Sequence, residues 1–199
     1  GKPLQGVEVK IASDGEILTR GPHVMQGYWR KPEATQEVIC DGWFHTGDLG
    51  CLEDGYLRIT GRKKEIIVLA SGKNVAPALI ERLLCEDPLI LQAIVLGDTQ
   101  NYLTALIVPE PEKLKSLIVE QRIAISAPLD VLTHPTVQEI YRRRIDARLA
   151  DLSPQEQVAK FTLVSRGFTP EHDELTPTLK LRRRQIAEHF APAIAGMYA

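Results

Sequence analysis

The hydrophobic pattern of this chain changes its period once, and the change falls within GYLRITGRKKEIIVLASGKNV, residues 55–75. Upstream lie short alternating runs and tight turns. Downstream, apolar residues recur at helical spacing. The stretch itself reads as a short strand (56–60), a charged hinge (61–65), an apolar strand (66–70) and a glycine turn (71–74). It therefore reads as a joint between two differently built halves. Loop residues joining rigid elements are where hinges and functional side chains concentrate.

The first half reads as a small β-rich unit. Val7, Val9 and Ile11 share one face of a strand, with Glu8 and Lys10 on the other. Asp14-Gly15 is a turn signal, and residues 16–20 are the returning strand. After the break at Gly21-Pro22 comes an apolar piece, 24–29, and then a short helix over 32–38 with Pro32 in its first turn. Asp41-Gly42 turns into Trp43-Phe44, and His45-Thr46-Gly47-Asp48 reads as a polar loop closing on Gly50. Asp54-Gly55 joins Cys51-Leu52 to Tyr56-Leu57 as a hairpin. So little sequence cannot bury a large core alone, and the unit is expected to complete a larger domain.

The second half reads as α+β. Residues 77–86 are helical, with Leu79, Leu83 and Leu84 on one face. Residues 90–96 and 103–108 are apolar runs of strand length, joined by turn chemistry. Helices are expected over 112–125 and 134–149. In the latter, Val137, Ile140, Tyr141, Ile145 and Leu149 form one stripe, and Arg142, Arg143 and Arg144 form a solvated face. Ser153-Pro154 can cap a further turn. A strand over 161–164, a polar loop over 169–178 and a last helix over 181–190 complete the order.

With 199 residues, the chain permits one large domain or two small ones. Its net charge of −2 implies no bulk pull toward nucleic acid or anionic membrane. No apolar run reaches the roughly 18 residues needed to span a bilayer. Cys40, Cys51 and Cys85 show no CxxC or Cys/His metal spacing. They read as buried structural thiols, and an odd, sparse set suits a reducing cytoplasm. The opening residues, GKPLQGVEVKI, have no signal-peptide core and no initiator Met, so a piece of a longer protein is expected.

Three polar clusters can carry chemistry. In Thr46-Gly47-Asp48, the glycine allows a tight turn and Asp48 offers two acceptor oxygens suited to the vicinal hydroxyls of a ribose. A turn-capping Asp explains the same residues. Arg62-Lys63-Lys64-Glu65 places three cations after Gly61, able to hold a phosphate, a carboxylate or a ribose hydroxyl. A solvated charge run is the plain alternative. Lys180 ends a loop and precedes Arg182-Arg183-Arg184. It can neutralise charge on a phosphoryl or acyl transition state, or it can be a surface lysine. Cations at a helix N-terminus are unfavourable, which makes the surface reading slightly odd. No Ser/His/Asp order, metal-ligand spacing or P-loop stands out. His45 lies nearest a candidate site and reads as structural.

Together these pieces resemble the adenylate-forming superfamily: acyl-CoA synthetases, nonribosomal adenylation domains and luciferases. GEILTRGPHVMQGYWRKPEAT (15–35) resembles the stretch near the end of the family's large N-terminal domain. DGWFHTGDLG (41–50) carries the family's Thr-Gly-Asp, so Asp48 is expected to bind the ribose hydroxyls of ATP and AMP. In GYLRITGRKKEII (55–67) the resemblance makes Arg62 a nucleotide contact and Lys64 the hinge about which the C-terminal domain rotates. SGKNVAP (71–77) resembles the loop that helps shape the CoA channel, which assigns Ser71, Gly72, Lys73 and Asn74 to it. LTPTLKLRR (175–183) resembles the final motif, whose lysine, here Lys180, serves adenylation. Many members have Asp at the hinge and Gly before that lysine; this chain has Lys64 and Leu179. Glu81 keeps the acidic position of the helix after the loop. These departures, and the helical insert at about 120–160, are most similar to the long-chain fatty-acyl-CoA synthetase branch.

The resemblance implies a β-rich end of an incomplete N-terminal adenylation domain over 1–63 and a mobile α+β C-terminal domain over 64–199. It implies ATP and AMP as nucleotides, Mg2+ held mainly by residues not in this chain, and fatty acid and CoA as co-substrates. A carrier-protein thiol is the alternative acceptor, and a non-catalytic nucleotide- or partner-binding module is the alternative class. A cytoplasmic parent is expected, with peripheral membrane association left open. The family's phosphate loop, adenine-binding stretch and acyl pocket are not among these residues. The chain alone is accordingly expected to catalyse neither half-reaction.

Overall fold

The structure, a computed structural model, describes residues 1–124 and 128–199. The residues divide into two compact units, Gly1–Ile66 and Ile67–Ala199.

The first unit is a five-stranded antiparallel sheet. Strands β1 (Glu8–Ile11) and β2 (Glu16–Arg20) form the hairpin around Asp14-Gly15. Helix α1 (Pro32–Val38) follows, with proline in its first turn. Next come β3 (Ile39–Cys40), β4 (Trp43–Glu53) and β5 (Tyr56–Arg62). The order is β1-β2-β4-β3, with β5 also on β4. Asp54 and Gly55 both take positive φ, 51° and 77°, as a two-residue primed hairpin turn requires. His45-Thr46-Gly47-Asp48, expected as a loop, lies inside β4. There β2 ladders one edge and β5 the other, so ladder hydrogen bonds override the local turn chemistry. β5 also extends through Arg62, into the segment 61–65 expected as a charged hinge. The apolar piece at 24–29 forms no strand, and Trp29 is 85% exposed. Only Glu16, Ile17 and Leu18 are buried in this unit.

The second unit begins with a small hairpin, β6 (Ile67–Val68) and β7 (Asn74–Val75), in place of a longer strand over 66–70. Helix α2 (Pro77–Cys85) leads into β8 (Ile90–Leu96) and β9 (Leu103–Pro109), which pair antiparallel as expected. Helices α3 (Pro111–Glu120) and α4 (Pro135–Leu149) precede β10 (Val158–Leu163), which joins β9 in parallel. Helices α5 (Arg183–His189) and α6 (Ala191–Tyr198) end the unit. The second of these was not expected from the sequence. The expected helix over 112–125 stops at Glu120, and its far end at Ile125 lies outside the described residues.

Both faces of the β8–β9 hairpin are buried, which is why these strands read as unbroken apolar runs. Ala93, Val95, Leu103, Ala105 and Ile107 face a cluster with Ile80, Leu84, Val137, Tyr141 and Ile145. Ile94, Leu96, Leu106 and Val108 face a second cluster with Phe168, Leu175, Ile186 and Met197. On α2 the buried stripe runs through Ile80, Glu81 and Leu84, not Leu79 and Leu83. The arginine face of α4 also divides. Arg143 pairs with Glu139 at the surface, but Arg144 reaches the buried Asp87 at 3.0 Å. The cysteines are free and none is buried, contrary to the structural-thiol reading.

Candidate functional site

Asp48 and Arg62, fourteen residues apart, meet as a cross-strand pair. Arg62 Nε donates to Asp48 Oδ1 at 2.8 Å. A bulge sets this pairing. From Glu53 opposite Tyr56 to Gly50 opposite Ile59 the ladder is regular; then Leu49 faces Gly61 and Asp48 faces Arg62. Thr60 is the extra residue on β5. Were Thr60 paired in a regular ladder, Asp48 would face Gly61. Bulges re-aim side chains in this way beside functional sites.

Beneath the pair lies Glu16, 4% exposed. Its carboxylate accepts from Gly47 N at 2.9 Å, meets His45 Nδ1 at 3.0 Å, and accepts from Lys63 Nζ at 3.0 Å. Burial pushes the Glu16 carboxyl up, and the hydrogen bonds from His45, Lys63 and Gly47 outweigh it, leaving the group below its ordinary value. Thr46 Oγ1 donates to Ile17 O at 2.7 Å and accepts from Asp48 N at 3.1 Å. Gly47, at φ 72°, turns between them. His45 is thus structural, as read. Lys63 also reaches Asp14 Oδ2 at 2.7 Å. Its hydrogen bonds to Asp14 and Glu16 raise its pKa, and the one from Lys63 lowers that of Asp14.

Lys64 sits in one turn of 3-10 helix, Lys63–Glu65, flanked by extended residues Arg62 and Ile66. A single 3-10 turn is a common connector between elements. Ser71, Gly72 and Lys73 form the exposed tip of the β6–β7 hairpin, and Asn74 begins β7 opposite Val68. Gly72 takes φ 77° and donates to Leu69 O at 2.8 Å. The hairpin is tied to the β8–β9 turn by Ala70 N to Gln100 O at 2.9 Å and Thr99 N to Val68 O at 2.8 Å.

Lys180 stands on a hairpin of its own. Leu175 bridges Leu181, Thr176 N donates to Lys180 O at 2.8 Å, and Leu179 N donates to Thr176 O at 2.8 Å. Thr176 Oγ1 accepts from Lys180 N at 3.0 Å. Leu179 is left-handed, at φ 59°. A residue without a Cβ fits there best, which gives a physical reason for glycine at the matching position in the family it resembles.

Of the buried carboxylates of the second unit, Glu81 and Glu174 each tie separate elements together. Glu81, named from the sequence only as an acidic position, accepts from Val95 N at 2.8 Å and from Arg183 NH1 at 2.6 Å. Arg183 NH1 also donates to Val95 O at 2.6 Å. Glu174 is wholly buried. Arg166 grips it with both terminal nitrogens, at 2.7 and 2.6 Å, and His189 Nδ1 lies 2.9 Å away. The hydrogen bond from Arg166 leads in holding the Glu174 carboxyl down at about 2. Glu16 and Glu174 were not singled out from the sequence. Lys63, a partner of Glu16, lies 47 residues away, while the partners of Glu174 lie 5 to 15 residues away in a polar loop and on the last helices. Among the described residues, no three His, Cys, Asp or Glu side chains gather to hold a metal. No helix among them is long and apolar enough to cross a membrane.

This architecture is that of adenylate-forming enzymes. The adenylation domain of a carboxylate reductase from Mycobacterium chelonae superposes with a TM-score of 0.77 at 24% identity, over 99% of this chain and 31% of that one. O-succinylbenzoate coenzyme A synthetase (MenE) from Bacillus subtilis, in complex with AMP, superposes at 0.64 and 26%, over 94% and 34%. The chain belongs to the AMP-binding enzyme C-terminal domain family, which residues 64–199 match. It is 47% identical to long-chain-fatty-acid–CoA ligase FadD15 of Mycobacterium tuberculosis over its whole length, and covers 33% of that protein. The chain thus spans about a third of the length of the curated relatives it matches.

Proposed function

We propose that this chain is the C-terminal portion of an ATP-dependent fatty-acyl-CoA synthetase, a cytoplasmic enzyme open to peripheral membrane association. The observation that carries the reading is the 47% identity to a long-chain-fatty-acid–CoA ligase over the whole length of this chain. In the first half-reaction a fatty carboxylate oxygen attacks the α-phosphorus of Mg-ATP. The bond to pyrophosphate breaks, and acyl-AMP remains. Lys180 neutralises charge between the carboxylate and the α-phosphate. The second domain, residues 64–199, then turns about Lys64, withdrawing Lys180 and bringing Ser71, Gly72, Lys73 and Asn74 toward CoA. The CoA thiolate attacks the acyl carbon, and AMP leaves. Asp48 and Arg62 hold the ribose throughout; their contact at 2.8 Å across β4 and β5 supports that pairing of roles. The motion is a conformational step between two chemical ones. Residues 1–63 complete the N-terminal adenylation domain, whose upstream part holds most of the Mg2+ shell and the acyl pocket.

The test is fatty-acid-dependent ATP–pyrophosphate exchange by the full-length parent. Lys180→Ala is expected to lower exchange by about two orders of magnitude, the usual effect of one lost transition-state contact. Exchange equal to wild type would make Lys180 a surface residue. The 199-residue chain alone is expected to form no acyl-CoA. If the parent exchanges but CoA accepts no acyl group, a carrier-protein thiol is the acceptor.

A further inference from the structure

Lys180 lies on a hairpin whose turn holds a left-handed leucine and whose strands meet through few main-chain bonds. Such an element does not fix its own direction. Its base, however, is anchored. Glu174 O accepts from Arg182 N at 2.8 Å, closing the hairpin one step below the Leu175–Leu181 bridge. The side chain of the same Glu174 points inward and is fully buried. There it takes both arms of Arg166, His189 at 2.9 Å and the main-chain N–H of Thr169 at 3.3 Å. Arg166 follows β10, and His189 ends α5. One carboxylate therefore ties the incoming leg of the hairpin to two separate parts of the unit. Asp173, beside it, pairs with Arg182 on the outgoing leg.

Resting on the adenylation role proposed for Lys180, we infer that Glu174, through Arg166 and His189, is the positioning residue that aims Lys180. A planar carboxylate gripped by a planar guanidinium fork fixes direction as well as distance. Loss of the grip lets the hairpin pivot about its base, and a misplacement of about 1 Å can cost on the order of a hundredfold in rate. Glu174 touches no reacting atom, so its effect is confined to the step that uses Lys180.

The test uses the full-length parent and two half-reaction assays. Glu174→Gln is expected to lower fatty-acid-dependent ATP–pyrophosphate exchange at least tenfold. CoA thioester formation from supplied acyl-adenylate should stay within about twofold of wild type. A purely structural role would lower both together. Combined with Lys180→Ala, Glu174→Gln is expected to cause no further loss of exchange, because two residues acting as one unit are non-additive. Should Glu174→Gln not fold, Arg166→Lys keeps the charge and loses the fork, and the same split and non-additivity are expected of it. An equal fall in both half-reactions, or full additivity with Lys180→Ala, overturns the positioning role. If Lys180→Ala itself leaves exchange intact, the proposed function of Lys180 has failed instead.

Discussion

At the scale of single residues, three glutamates are buried among the described residues: Glu16, bonded to the Gly47 N–H of Thr46-Gly47-Asp48; Glu81, within α2 and bonded to Val95 and Arg183; and Glu174, at the base of the Lys180 hairpin. A buried carboxylate is costly unless its acceptor sites are filled, and each of these has at least one cation and one backbone N–H. The Glu174 carboxyl stands near 2 when folded against 4.5 ordinarily, so its contribution is complete above the ordinary value and is lost as pH falls toward 2. The difference amounts to about 3 kcal/mol. Urea melts at pH 7 and at low pH should show wild type and Glu174→Gln far apart at the first and converging at the second. Leu179 gives another prediction. Its left-handed backbone costs an L-residue about 1 kcal/mol, so Leu179→Gly should not destabilise the chain, whereas Leu179→Val, with a β-branched side chain, should cost about 1 kcal/mol or more in urea midpoint terms.

At the scale of elements, the site depends on a count. The bulge at Thr60 puts Arg62 opposite Asp48, and inserting one residue after Thr60 should move Gly61 into that place. In the parent, AMP affinity should then fall about tenfold or more, the cost of a lost charge-assisted contact, while Thr60→Val leaves it near wild type. Isothermal titration with AMP separates the two. The bulge also shows where sequence reading stops. Asp48 and Arg62 were legible as residue types on adjoining segments, and the Asp54-Gly55 turn fixed which strands pair. The extra residue was not legible, because Thr60 looks like any strand threonine. The helical stripe of α4 was readable because Val137, Tyr141, Ile145 and Leu149 recur at helical spacing. The interior place of His45-Thr46-Gly47-Asp48 in β4 was not, since it needs β2, 29 residues upstream, on one edge as well as β5 on the other. Glu16 and Glu174 were invisible because a period does not reveal which charged residue turns inward.

At the scale of the molecule, the two units differ in what holds them. The second encloses its sheet between two apolar clusters. The first buries Glu16, Ile17 and Leu18, and leaves Trp29, Tyr56 and Ile59 exposed. Excised residues 67–199 should therefore unfold cooperatively on heating, and residues 1–66 alone should show no cooperative transition by circular dichroism. Lys63, the residue before the proposed pivot, is bolted to Asp14 and Glu16. Glu16 also carries the Gly47 N–H beside Asp48. If the second domain turns about Lys64, the torque is borne by the same carboxylate that steadies the proposed ribose clasp. Swivel and clasp share one abutment, so a load on the first is transmitted to the second without any moving part between them.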